Sequence, residues 1–258
     1  MSNSDPIDVD SVLWSAPADA RDGRPVVVLL HGYGSDERDL FSLVPLLPDE
    51  FVYVAVRAPL APPWPAPGYS WYPIEGLNAR TGESVTAGAE ALLAWLDTQE
   101  IGDVGLLGFS QGAAVAIQAL RLRPQRFAFA VNLSGYAAGG ELPTDAELAA
   151  RRPPVFWGRG TNDTVIFPQL IEHTTAWLPG VVELSGRVYT GLGHAVSQDE
   201  IVDVGVFLRK CLEDLRQPAA TDVQSPDGPS ADGQSTDGQS TDGQSTDGQS
   251  TDGRDEEG

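Results

Sequence analysis

Cysteine is almost absent from this chain: Cys211 is the only one among 258 residues. A lone thiol excludes an intramolecular disulfide and fits a reducing compartment. No stretch approaches the roughly 18 uninterrupted apolar residues that a membrane helix needs, which excludes a spanning helix. The first residues, MSNSDPIDVDSVLW, lack the basic start and apolar run of a secretory signal. Together these absences predict a cytoplasmic protein that does not insert into a membrane. Positive charge is also scarce. Lys+Arg total 16 against 37 Asp+Glu, a formal charge of −21, and Lys210 is the only lysine. A surface this acidic repels nucleic acid and anionic membranes. The acidity is not confined to one end: from Gln217 onward ten acids face one base, Arg254, and the rest of the chain is acidic in its own right.

What is present is enough apolar residue, 41%, for one large α/β domain with a sizeable core. The composition breaks near Pro218. Beyond it, Gln-Ser-Thr-Asp-Gly recurs from Gln234 to Gly253, with looser copies before. Such a segment has almost nothing to bury against its ordering entropy, so residues 218–258 are expected to be a disordered acidic tail and 1–217 the folded domain. The five-residue period does not match the nine-residue calcium β-roll repeat.

The body alternates strand and helix patterns. Buried strands are expected at Pro25–Leu30 and Phe51–Val56, then at Val104–Leu107, Phe127–Leu133, Val155–Trp157 and Val181–Tyr189. Helices are expected over Glu37–Leu47, Val85–Gln99, Ala113–Leu122, Phe167–Trp177 and Ser197–Leu215. Residues 57–84 read as a long irregular stretch rich in Pro, Trp and Tyr. This alternation predicts an α/β fold: a mostly parallel central sheet with helices on both faces and its site at the carboxyl ends of the strands. Only some twenty residues separate Leu133 from Val155, too few for a large cap domain.

Gly108-Phe109-Ser110-Gln111-Gly112 is G-x-S-x-G between an expected strand and an expected helix. That context is the nucleophile elbow of the α/β-hydrolase fold, where a sharp turn lifts a serine hydroxyl toward an electrophile. The alternative is a small-residue turn in which Ser110 only caps the helix. A serine needs a base, and three histidines are available. His173 falls inside a helix pattern and His31 ends the first buried strand. His194, in Thr-Gly-Leu-Gly-His-Ala, lies in a loop after a late strand, where the chain order Ser, acid, His puts the base. Asp163, in the loop after Val155–Trp157, is the expected acid. Asp199 and Asp203 compete but read as first-turn residues of the last helix. His31-Gly32-Tyr33-Gly34 bends so that a main-chain N–H, assigned to Tyr33, faces a developing oxyanion. The second donor is the N–H of Gln111.

HGYGSDERDL, GFSQGAA, GRGTNDTVIFP and GLGHAVSQDE occur here in the order found in the phospholipase/carboxylesterase family, which this chain resembles over roughly Pro25 to Leu215. The resemblance implies a Ser110–Asp163–His194 triad, an oxyanion hole from Tyr33 and Gln111, and neither metal nor organic cofactor. Tyr69-Ser-Trp-Tyr-Pro-Ile resembles the family's Trp-containing loop beside the acyl site. Leu60, Trp71, Tyr72 and Ile74 are therefore candidate substrate-binding residues; the alternative is a satellite core beneath a long loop. One departure is Trp157-Gly158, where the family's acid loop begins with His-Gly. The expected activity is hydrolysis of short- to medium-chain carboxylic esters through an acyl-enzyme. An acyl thioesterase or lysophospholipase would use the same triad, a peptidase is a weaker reading, and a non-catalytic relative would belong to a different class. The expected partner is a small ester, and the oligomeric state is undetermined, with a homodimer left open.

Overall fold

The computed structural model describes residues 6–74 and 81–217; the expected tail lies outside the described residues. Among the described residues seven strands form one sheet: β1 (Leu13–Trp14), β2 (Val26–Leu30), β3 (Val52–Val56), β4 (Val104–Phe109), β5 (Phe127–Leu133), β6 (Pro154–Gly160) and β7 (Glu183–Tyr189). Their order is β1-β3-β2-β4-β5-β6-β7. β1 runs antiparallel to β3, and every other neighbouring pair is parallel. The helices are α1 (Arg38–Phe41), α2 (Gly82–Leu96), α3 (Gln111–Leu122), α4 (Asp145–Arg151), α5 (Pro168–Val181) and α6 (Gln198–Arg216).

The strands are continuous apolar runs because both faces of the sheet are covered. Val26, Val28 and Leu30 pack with Leu92, Ile117, Leu148 and Leu178 of α2 to α5. Val27 and Leu29 point the other way, into a second cluster with Leu40 of α1 and Ile201, Val204 and Phe207 of α6. This is the α/β-hydrolase architecture, and no large cap is evident: the segment between β5 and β6 holds only the seven-residue α4. No helix among the described residues is long and apolar enough to cross a membrane.

Four local features differ from the reading of the sequence. The helix expected over Glu37–Leu47 is four residues of α1 followed by a 3-10 turn at Val44–Leu46. Pro45 is the reason, since it has no N–H to donate and its ring collides with the preceding turn of an α-helix. β1 is two half-buried residues, too short to show a period. α4 went unforeseen for the same reason of length. β6 also continues beyond Trp157 to Gly160, which moves the start of the loop that follows it.

Arg121 closes the region beyond β5. It is 1% exposed, and all five of its N–H groups have acceptors. Nε and Nη2 grip Asp145 at 2.9 and 2.8 Å, and the remaining donors reach Gln118 Oε1 and the Ala138 and Gly140 carbonyls. Burial alone would raise the Asp145 carboxyl, but Arg121 and the Leu142 N–H hold it below the usual carboxylate range. One guanidinium thus joins α3, α4 and the chain leaving β5. Removing one member of a buried pair strands the other, at about 3–5 kcal/mol. Arg121→Met should accordingly cost about 3 kcal/mol in urea unfolding, because part-exposed Asp145 keeps some hydration; a loss under about 1 kcal/mol would mean that the chain beyond β5 is held by packing alone.

Candidate active site

β4 ends at Phe109, α3 begins at Gln111, and Ser110 between them has φ 53° and ψ −114°. A positive φ is unfavourable for a residue with a Cβ, and such strain persists only where the surroundings impose it. Here the Ser110 N–H donates to the Leu133 carbonyl at 2.8 Å, and α3 packs tightly from below. A Cβ at Gly112 would lie 2.0 Å from the Leu30 carbonyl oxygen, so only glycine lets the helix approach β2 this closely. Ser110 stands at the N-cap position, yet its hydroxyl makes no capping bond. It lies instead 2.8 Å from His194 Nε2.

His194 Nδ1 is 2.8 Å from Asp163 Oδ2. The other oxygen of Asp163 accepts the N–H groups of Val165 and Ile166 at 2.9 and 3.2 Å. A carboxylate only accepts, so Nδ1 carries the ring proton and Nε2 is left to accept from the serine hydroxyl. The Asp163 side chain is 2% exposed and that of His194 16%, which keeps water from competing for these bonds. The Asx-turn reading of Asp163 holds as well: one oxygen builds the turn while the other faces the histidine. Asp203 instead accepts from Tyr189 and pairs with Arg187 at 3.6 Å. Asp199 lies in the first turn of α6.

The loops that carry Asp163 and His194 are zipped together by main chain. Thr161 N donates to Tyr189 O and Asn162 N to Leu192 O, while Gly191 N donates to Thr161 Oγ1 at 2.8 Å. The loops can meet because a Cβ at Gly160 would lie 2.0 Å from the Leu192 carbonyl oxygen. Since β6 runs through Gly160, the acid-bearing loop starts at Thr161 and the pair at its mouth is Arg159-Gly160.

Both ring nitrogens of His31 have partners of their own. Burial pushes its pKa down, and the neutral ring accepts the Ala58 N–H at Nε2, 3.0 Å away, while Nδ1 faces Gly32 O at 2.7 Å. It braces the turn that carries Tyr33. Glu37 adds a second brace through a two-bond pair with Arg57 at 2.7 and 2.8 Å, which holds the Glu37 carboxyl below its ordinary value. His173 stacks on Trp177 along α5.

A cavity of about 170 Å³ opens beside Ser110 and His194, walled by Tyr33, Gln111, Tyr72, Ile74, Phe109, Tyr136, Val165 and Ile166. Tyr72 and Ile74 thus sit where the sequence suggested. Leu60 and Trp71 are not part of its lining. Leu60 pairs with Ser70 in an isolated β-bridge. Trp71 is 1% exposed and lies behind the wall: its N–H donates to Gln111 Oε1 at 2.8 Å and its ring N–H to His31 O at 2.9 Å. Gln111 Nε2 completes the brace by donating to Tyr72 O at 2.6 Å. Trp71 therefore supports the pocket and does not line it. Tyr136, Val165 and Ile166 were missed; their signal was position, just past the carboxyl ends of β5 and β6.

The phospholipase/carboxylesterase family model matches residues 17–212. The chain belongs to that family. Acyl-protein thioesterase 1 of Candida albicans is 28% identical over 228 residues, spanning 76% of this chain and 96% of the relative. A probable carboxylesterase of Oryza sativa subsp. japonica is 26% identical over 223 residues, spanning 77% and 81%. The crystal structure of esterase PE8 superposes with a TM-score of 0.62 at 29% identity, covering 80% of this chain and 99% of that one. In this phospholipase/carboxylesterase-family chain the separation of Asp163 and His194 rests on Gly160. Gly160→Ala should force the His194 loop outward and lower kcat by about 100-fold, the scale of a misplacement of about 1 Å. Steady-state kinetics beside a melting curve will check it, and a folded variant with unchanged kcat would show that the loops close without that glycine.

Proposed function

We propose that the protein is a cytoplasmic serine carboxylesterase that hydrolyses short- to medium-chain esters without a cofactor. The observation that carries this reading is the unbroken hydrogen-bonded series Ser110–His194–Asp163, with 2.8 Å at each step. Ser110 Oγ attacks the ester carbonyl carbon while His194 Nε2 takes the hydroxyl proton. Asp163 holds the tautomer and stabilises the imidazolium. The carbonyl oxygen becomes an oxyanion, received by the N–H groups of Tyr33 and Gln111. Collapse expels the alcohol, which takes the proton from His194 and leaves an acyl-Ser110 ester. Water then attacks that ester, His194 removes its proton, and the carboxylic acid leaves as Ser110 Oγ regains a proton. The same acyl-enzyme would form from a thioester, a reading supported by the name of the Candida relative. A non-catalytic role has less support, because nucleophile, base and acid are all present and in contact.

Ser110→Ala should lower kcat by about 10⁴-fold or more, since members of such a triad act as a unit. A fluorophosphonate probe should label the unmutated protein at Ser110. Labelling elsewhere, with the alanine variant still active, would overturn the assignment.

The cavity sets the acyl preference. At about 170 Å³ it is small. Each methylene that fits contributes about 0.8 kcal/mol, so kcat/KM should climb about fourfold per carbon and then fall once the space is full. Tyr136, whose hydroxyl meets that of Tyr72 at 2.7 Å, forms part of the wall. Tyr136→Ala should move the optimum of a p-nitrophenyl ester series toward longer chains. An unmoved optimum, or a steady rise to palmitate in the unmutated protein, would contradict an acyl pocket in this cavity.

A further inference from the structure

Glu200 is the one carboxylate-bearing side chain among the described residues that is wholly buried, at 0% exposure, with neither oxygen hydrogen-bonded. It belongs to the first turn of α6. Its own N–H is capped by Ser197 Oγ at 3.1 Å, and Ser197 is only three residues beyond His194. The carboxyl feels the Ser197 main chain and lies against the main chain of β6. Its Oε1 lies 2.0 Å from where a Cβ of residue 158 would be, so it occupies the space that Gly158 leaves empty. Gly158 is a junction: its carbonyl accepts the Ser134 N–H at 2.8 Å, and β6 runs on from it through Gly160 into the loop of Asp163. One side chain therefore spans the helix that follows the histidine loop and the strand that leads to the aspartate loop.

We propose that Glu200 is a positioning residue for the hydrolytic site, its carboxyl seated on Gly158 so that the start of α6 and the end of β6 hold His194 and Asp163 in register. This inference rests on the proposed serine-hydrolase reading. A hydrocarbon side chain of equal size could fill the same space, so the carboxyl also needs a physical account. Burial pushes its pKa up to about 7, against an ordinary value of 4.5; the Ser197 main-chain N–H opposes that rise and Asp203 adds a smaller push to it. The groups facing it are few. Asp203 lies one turn along α6, Tyr189 approaches from β7, and Arg187 of β7 is turned to Asp203 at 3.6 Å. From β6, Gly158 meets it, with the ring of Phe156 beside the same glycine. Among the described residues no cation acts on it, so the neutral acid is the form that fits, and an unpaired buried carboxylate is costly. The sign follows. Stability supplied by the neutral form is complete below about 4.5 and is lost as pH rises through about 7. Above that range the seat on Gly158 loosens.

The test compares Glu200→Ala and Glu200→Gln with the unmutated protein on a chromogenic short-chain ester. The alanine variant should lose about tenfold in kcat with KM within about twofold, because substrate contacts are untouched while the triad geometry relaxes. The neutral, near-isosteric glutamine should restore kcat to within about threefold. In thermal melts glutamine should match the unmutated protein at pH 5 and melt several degrees higher at pH 8. Alanine with full kcat, glutamine as slow as alanine while melting normally at pH 5, or a melting difference equal at the two pH values would each overturn the proposal. If alanine does not fold, the pH dependence of the glutamine variant decides. Failure of the hydrolase reading itself would look different, because Ser110→Ala would then remain active and the melting arm would be unaffected.

Discussion

Helix α3 lies so close under β2 that the first atom of any side chain at position 112 would come 2.0 Å from the Leu30 carbonyl oxygen. That approach is the constraint on which the rest of the site depends. It draws the start of α3 against the sheet and forces the chain from β4 to turn within one residue. Ser110 therefore takes a left-handed φ of 53°, and its hydroxyl projects above the strand ends without capping the helix. The strain is tolerated because the Ser110 N–H is satisfied by β5 and the flanking elements are buried on both faces. A strained residue in a softer setting would relax and cap the helix.

Around this fixed point the other groups are supplied by loops, and each loop is tied down by something other than its functional residue. The turn carrying Tyr33 is held by a neutral buried histidine, His31, and by the Glu37–Arg57 pair. The cavity wall at Tyr72 is held by the amide of Gln111, with Trp71 filling the space behind. The chain beyond Tyr136 hangs on Arg121. The loops of Asp163 and His194 are zipped to each other. Loops on their own are mobile, and hydrolysis needs the reacting groups held to a fraction of an ångström. Much of the buried polar chemistry serves that purpose: these bonds join one part of the chain to another and keep each loop in one place.

The acidic character plays no part in this scheme. The cations that matter, Arg57 and Arg121, are matched to Glu37 and Asp145 in or near the interior. The excess of negative charge keeps the surface repulsive toward other polyanions and bears on solubility, not on the fold.

By itself the sequence determined the fold class and the three members of the hydrogen-bonded series. Both are written locally: buried parallel strands are apolar runs of a few residues, and Ser110, Asp163 and His194 each stand just past such a run in a fixed chain order. It also marked Tyr33, Gln111, Tyr72 and Ile74, all of which line the cavity. Trp71 and Leu60, marked with them, stand outside that lining, because an aromatic-rich stretch does not reveal which ring faces a cavity and which the core. The sequence placed the mouth of the acid-bearing loop at Trp157-Gly158, because strand β6 keeps its hydrogen bonds to β7 for three residues beyond its apolar run. Short elements such as β1 and α4 escaped because neither is long enough to display a period. Gly160 facing Leu192, Gly158 facing Glu200 and Arg121 facing Asp145 join residues that are distant along the chain. Only the tertiary structure decided them, since whether a glycine is needed or a charge is satisfied depends on what the rest of the fold brings against it.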